Sequence, residues 1–134
     1  MINQLHHICI QSEVYDQSLA FYTKIMGFEL IKETAGFHGR SYNTWLKHGT
    51  FMIELQTPKA DTTFKPWSNL NQGPVHMAFT TDDVDKAYKL ILEKGHTQFK
   101  FKNGEPVYEV EGGKLLKVIA PEGTEIELRD QTEI

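Results

Sequence analysis

The stretch HHICIQSEVYDQSLAFYTKIMGF at residues 6–28 recurs in altered form as VHMAFTTDDVDKAYKLILEKGH at residues 75–96. His7 falls on His76, Ile10 on Phe79 and Asp16 on Asp85, each 69 residues on, and Gly27 falls beside Gly95 with a slip of one. Each copy also finishes on one tripeptide, Ile53-Glu54-Leu55 in the first and Ile126-Glu127-Leu128 in the second. Self-similarity of this kind marks a supersecondary unit used twice. The unit opens on a histidine strand and closes on an Ile-Glu-Leu strand.

The opening of each unit alternates as a strand does. In Leu5–Gln11, Ile8 and Ile10 take one face while His7, Cys9 and Gln11 take the other; in Val75–Thr81, Met77 and Phe79 oppose His76, Ala78 and Thr80. A helix follows in each. Asp83 is a good N-cap for the second, whose apolar stripe is Val84, Ala87, Tyr88 and Ile91. The first carries Phe21, Tyr22, Ile25 and Met26, has Val14 where the second has Asp83, and leaves Ser12 as a weaker cap. Gly27 and Gly95 read as C-terminal stops.

Strand-like runs come next: Phe28–Glu33, Ser41–Lys47 and Phe51–Thr57, then Thr97–Lys102, Leu115–Ala120 and Thr124–Arg129. The expected fold is α+β: two repeated βαβββ modules forming a cupped mixed sheet with helices on the outside. The 134 residues suit one domain, with halves at about 1–57 and 74–134 and a connection over 58–73 that holds two prolines and many polar residues.

Composition sets bounds on function. The chain is 40% hydrophobic, 24% charged and 11% aromatic, a globular profile. Fourteen Lys and Arg against 18 Asp and Glu give a net charge of −4, which argues against nucleic acid or an anionic membrane as partner. A single cysteine, Cys9, excludes an internal disulfide framework and a cysteine-rich zinc site. The segment MINQLHHICIQS has neither a basic nor an apolar leader region, and no run approaches the roughly 18 apolar residues of a membrane span. A cytoplasmic location is the expectation.

Alternation then sorts the acidic residues. In Phe51–Gln56, Phe51, Ile53 and Leu55 share the face that covers the helix, so Glu54 faces away with Met52 and Gln56. In Thr124–Arg129, Ile126 and Leu128 pack inward while Glu125 and Glu127 face away. The same reasoning sends His7 and His76 to the helix-free side. His7, Glu54, His76 and Glu127 therefore form a candidate metal set, related in pairs by the repeat. Two neutral imidazoles and two carboxylates cancel the charge of one divalent cation and leave two positions open in a six-coordinate shell. Zinc, nickel, cobalt, manganese and iron all suit such donors. Two carboxylates facing one cavity without a cation between them would repel each other.

The segments HHICI, FMIELQTP, VHMAF and APEGTEIELRD, in that order and spacing, resemble the glyoxalase/vicinal oxygen chelate superfamily across essentially the whole chain. The resemblance implies paired βαβββ modules around a divalent metal, with His7, Glu54, His76 and Glu127 as ligands. It implies chelation of a small-molecule substrate through adjacent oxygens, stabilisation of an enediolate, and a carboxylate base, Glu127 first and Glu54 second. The expected activity is that of a glyoxalase-like lyase or isomerase. Glyoxalase I is similar in ligand set but commonly has arginine four residues after the first ligand, where this chain has Gln11. Methylmalonyl-CoA epimerase is similar too, usually with glutamine at the position of Glu54. Fosfomycin thiol transferases and extradiol dioxygenases typically use three protein ligands. A drug-binding member without metal is the reading from another class. Family analogy also suggests a homodimer, with the metal site held within one chain or shared between two.

Other residues carry smaller expectations. Trp45, Phe64 and Trp67 are candidates for lining a substrate pocket, or else pack the sheet and the connection. Cys9 and Glu125 lie on the ligand face. Arg40, in the loop TAGFHGRS, reads as a surface arginine or as a contact for an anionic substrate. By alternation His6 points away from His7 and is assigned a structural role. His38, His48 and His96 have no repeat partner.

Overall fold

The computed structural model describes residues 1–130. The chain divides into two compact units, Met1–Pro66 and Trp67–Ile134. The first contains β1 (Ile8–Gln11), α1 (Tyr15–Ala20), β2 (Glu29–Ala35), β3 (Tyr42–His48) and β4 (Phe51–Gln56). Its sheet runs β1-β4-β3-β2, with β1 parallel to β4 and the other pairs antiparallel. The second contains β5 (His76–Thr80), α2 (Val84–Glu93), β6 (Phe99–Lys100), β7 (Val107–Val110), β8 (Gly113–Ile119) and β9 (Glu125–Arg129). Here β5 is parallel to β9, and β9 is antiparallel to β8.

Each unit is thus the expected βαβββ module, with one departure. The expected strand over 97–102 shortens to β6, and β7 stands where no strand was expected. Both pair with β8, Phe99 opposite Val118 and Val107 opposite Leu116. They form one edge strand interrupted by a turn. Asn103 and Gly104 both have positive φ, 52° and 81°, and Lys102 bridges to Glu105. Asn-Gly is the pair that favours such a turn, and Pro106 after it has no N–H to give a ladder.

The helices behave as their caps and stripes require. Asp83 accepts a hydrogen bond from the Lys86 N–H at 3.0 Å, and Val84 and Ile91 are buried. In α1, Val14 occupies the N-cap with no side-chain bond. Ser12 Oγ instead accepts from the Val14 N–H at 3.0 Å and lies 2.8 Å from Ser18 Oγ, so the pair steadies the entry turn. The helix widens into a π turn over Phe21–Ile25 that buries Phe21 and Tyr22. Gly27 and Gly95, with φ of 78° and 87°, end the two helices as expected.

One face of each sheet packs on its helix. Tyr15 of α1 touches Thr44, and the Tyr88 and Phe99 rings lie 4.9 Å apart. On those faces Leu46, Ile53 and Leu55 in the first unit, and Leu116, Val118 and Ile126 in the second, are fully buried. Each such aliphatic side chain contributes about 1.5–3 kcal/mol of hydrophobic stabilisation. That burial fixes which way every alternate residue points, and so leaves the functional side chains on the opposite face. Among the described residues, no helix is long and apolar enough to cross a membrane.

Candidate functional site

On the helix-free face of the first unit, the parallel ladder sets Cys9 opposite Glu54 and Gln11 opposite Gln56. The antiparallel ladder adds Trp45 opposite Glu54 and Asn43 opposite Gln56. His7 precedes β1 and brings its Nε2 to 3.5 Å from Glu54 Oε2. Its other ring nitrogen, Nδ1, lies 2.8 Å from His6 Nδ1, and its ring meets Trp45 edge-on at 4.9 Å. When His7 donates in that hydrogen bond, its Nε2 keeps a lone pair aimed at the Glu54 side, as a metal ligand requires.

This geometry corrects the assignment of His6. Strand alternation fails there because β1 begins only at Ile8, so consecutive side chains in the preceding coil reach the same place. Trp45 lies on the ligand side of its sheet rather than in the helix-side core. Arg40 is half-buried, not a free surface group: its Nη1 donates to the Thr57 carbonyl at 2.6 Å and to Gln11 Oε1 at 3.2 Å. Cys9 is exposed as a residue, yet its thiol is partly withdrawn from water, and this desolvation, with the Glu54 carboxylate adding to it, pushes the thiol up to about 11. It remains a protonated, poorly nucleophilic thiol at neutral pH.

The second unit repeats the pair. His76 Nε2 lies 3.7 Å from Glu127 Oε2. Glu125 and Glu127 are each only 5% exposed, which a carboxylate tolerates only when compensated. The compensation comes from cations on the same face. Lys100 Nζ donates to Glu125 Oε1 at 2.7 Å, Lys117 Nζ stands 3.8 Å from Glu125 and 3.9 Å from Glu127, and Arg129 Nη1 stands 3.5 Å from Glu127. Tyr108 joins them, its phenol held above its ordinary range by burial and then by the charge of Glu127.

The sequence reading missed Lys100, Lys117 and Tyr108. Alternation within β8 does place Lys117 opposite Leu116 and Val118, but its partner Glu127 follows only from the β8–β9 register. Among the described residues no group of three or more His, Cys, Asp and Glu side chains gathers as a metal cluster. The expected ligands come as two His–Glu pairs, one in each unit. Two donors bound side by side to one ion at about 2.1 Å stand about 3 Å apart. Each pair therefore needs only a small side-chain adjustment to share an ion, and imidazole with carboxylate is a fitting donor set.

Trp67 and Phe64 are placed by other contacts. The Phe64 N–H donates to Glu13 Oε1 at 2.7 Å, and Trp67 packs on Gly123 of the APEGTEIEL segment. His96 Nε2 lies 3.0 Å from the Ile119 carbonyl oxygen and ties the end of α2 to β8.

A family model of the Glyoxalase/Bleomycin resistance protein/Dioxygenase superfamily matches residues 4–128. The chain belongs to this superfamily. The superfamily match spans both His–Glu pairs and agrees with the resemblance carried by HHICI, FMIELQTP, VHMAF and APEGTEIELRD. A relative from Bacillus subtilis (strain 168), the uncharacterized protein YwkD, is 35% identical over 100 residues, which is 71% of this chain and 74% of that protein. Among solved superfamily folds, a glyoxalase family protein from Enterococcus faecalis superposes with a TM-score of 0.77 at 23% identity, covering 94% of this chain and 96% of that one. The fosfomycin resistance protein FosX from Listeria monocytogenes, solved with Mn(II) and sulfate, gives a TM-score of 0.72 at 19% identity over 98% and 95% of the two chains.

Proposed function

We propose that the protein is a metal-dependent lyase or isomerase of the glyoxalase type, acting on a small substrate chelated through adjacent oxygens. The observation that carries this reading is the repetition of one His–Glu pair, at 3.5 Å in the first unit and 3.7 Å in the second. In this reading the two units act as halves of one domain. His7, Glu54, His76 and Glu127 hold one divalent ion, the second pair coming from the same chain or from a second copy in a homodimer. The Mn(II) of the FosX complex supports a divalent ion in this fold. A cytoplasmic homodimer is part of the same reading.

Such an ion, when bound, supplies Lewis-acid stabilisation of negative charge developing on adjacent substrate oxygens. The chain supplies the proton transfer and the surroundings. Glu127 is the proposed base, taking a proton from the carbon next to the chelated oxygens, with Glu54 second. Lys117 and Arg129 steady the Glu127 carboxylate, and Glu125 with Lys100 keeps that face charged yet compensated. In the first unit His6 and Trp45 orient the His7 ring.

Elemental analysis of the purified protein, repeated on Glu54→Gln, tests the reading. The expected result is about one divalent ion per chain, with weakened retention in the variant. No bound metal after each candidate ion has been offered overturns it and leaves a ligand-binding member of the superfamily.

A further inference from the structure

Among the described residues, the cations gathered on the face that carries Glu127 outnumber the carboxylates. Lys100, Lys117 and Arg129 stand against Glu125 and Glu127. The three cations are not used alike. Lys100 is spent on its 2.7 Å bond to Glu125. Lys117, with a side chain only 17% exposed, sits 3.8 Å and 3.9 Å from the two carboxylates. Its ammonium has no acceptor within hydrogen-bonding distance among the described residues and stays open to solvent. The Nε of Arg129 is the one buried side-chain donor without an acceptor among the described residues. Such a buried donor is costly and uncommon, and on the same face an ammonium open to water is free to meet an arriving polar atom.

We propose that Lys117 recognises a negatively charged oxygen of the substrate beside Glu127, so that the protein acts on anionic small molecules such as those bearing a carboxylate. This rests on the metal reading above. When Glu127 is committed to a divalent ion, its charge no longer balances Lys117, and the surplus of positive charge on this face grows. A neutral substrate would leave the ammonium uncompensated; an anionic oxygen satisfies it. Lysine suits the role because it acts as a point charge with freely rotating donors, without the paired geometry that arginine imposes.

The test is calorimetric titration of the full chain, saturated with Mn2+, against oxalate and acetohydroxamate. Both chelate through adjacent oxygens, and only oxalate leaves anionic oxygens free of the metal. Lys117→Met is expected to weaken oxalate about tenfold or more and acetohydroxamate by less than about threefold, with Mn2+ content unchanged, while Lys117→Arg keeps the preference for oxalate. Unchanged oxalate affinity in K117M, equal loss of both chelators, or loss of the metal itself overturns the proposal. If K117M does not fold, Lys117→Gln is judged on the same two affinities. If the unsubstituted protein holds no Mn2+, the metal reading has failed by itself, and oxalate is titrated into the metal-free chain. There, binding that K117M abolishes upholds anion recognition by Lys117; absent binding, or binding that K117M leaves intact, overturns it.

Discussion

Cys9 and Glu54 are register partners across the parallel β1–β4 ladder, and Ala78 and Glu127 hold the equivalent rung between β5 and β9. The two candidate half-sites are therefore built by one backbone rule applied twice. Ligands that serve a single ion should matter equally. Metal titration is expected to saturate at one divalent ion per chain, with Glu127→Gln weakening binding about as much as Glu54→Gln. Two ions per chain, each lost with one substitution, would show two separate sites instead.

His6 Nδ1 lies 2.8 Å from His7 Nδ1, and both rings meet Trp45 edge-on. A group that fixes the orientation of a ligand typically affects metal affinity by 10–100-fold. His6→Ala is expected to weaken metal binding by about tenfold. Because His6 is exposed, the unfolding free energy should change by less than about 0.5 kcal/mol. Equilibrium dialysis and urea unfolding of one preparation separate the two effects.

Tyr15 donates its hydroxyl to Glu33 Oε2 at 2.5 Å and also meets the Thr44 hydroxyl. Burial, followed by the Glu33 contact, raises its phenol well above the ordinary tyrosine range. The unfolded chain therefore ionises first. Stability from this group is complete below about pH 10 and declines as pH rises above that value toward the folded one. Tyr15→Phe is expected to cost about 1–2 kcal/mol at pH 7 and to flatten the alkaline decline. Urea unfolding at pH 7 and at pH values above 10 measures both.

Gly123 has φ of +100°, and a β-carbon there would come within 3.0 Å of Trp67 Cβ. Gly123→Ala is expected to destabilise the protein by about 1–3 kcal/mol. Adding Trp67→Gly, which removes the β-carbon itself, relieves the steric part and leaves the backbone part. The double variant should thus be less destabilised than the sum of the singles, as read from thermal or urea unfolding.

Most of the fold was legible because a half-buried strand writes its faces in alternate residues. Ile53 and Leu55 against Glu54, and Ile126 and Leu128 against Glu127, gave both the core and the ligand side. What escaped depended on register or on coil. The edge strand β7 has only four residues behind a proline, too few for its alternation to stand out. The convergence of Lys100 and Lys117 on Glu125 requires knowing that β6 and β9 flank β8 at matching rungs. His6 and Arg40 lie outside regular strands, where no period governs direction.

The first and last strands of each unit lie side by side, and that adjacency orders events during synthesis. The histidine of each pair leaves the ribosome early, while its carboxylate follows roughly fifty residues later, and only closure of the parallel ladder brings them together. No nascent segment can therefore offer both donors of a pair in native geometry before its unit is complete. A divalent ion would act as a late lock on finished molecules, favouring the folded population by mass action rather than templating its formation.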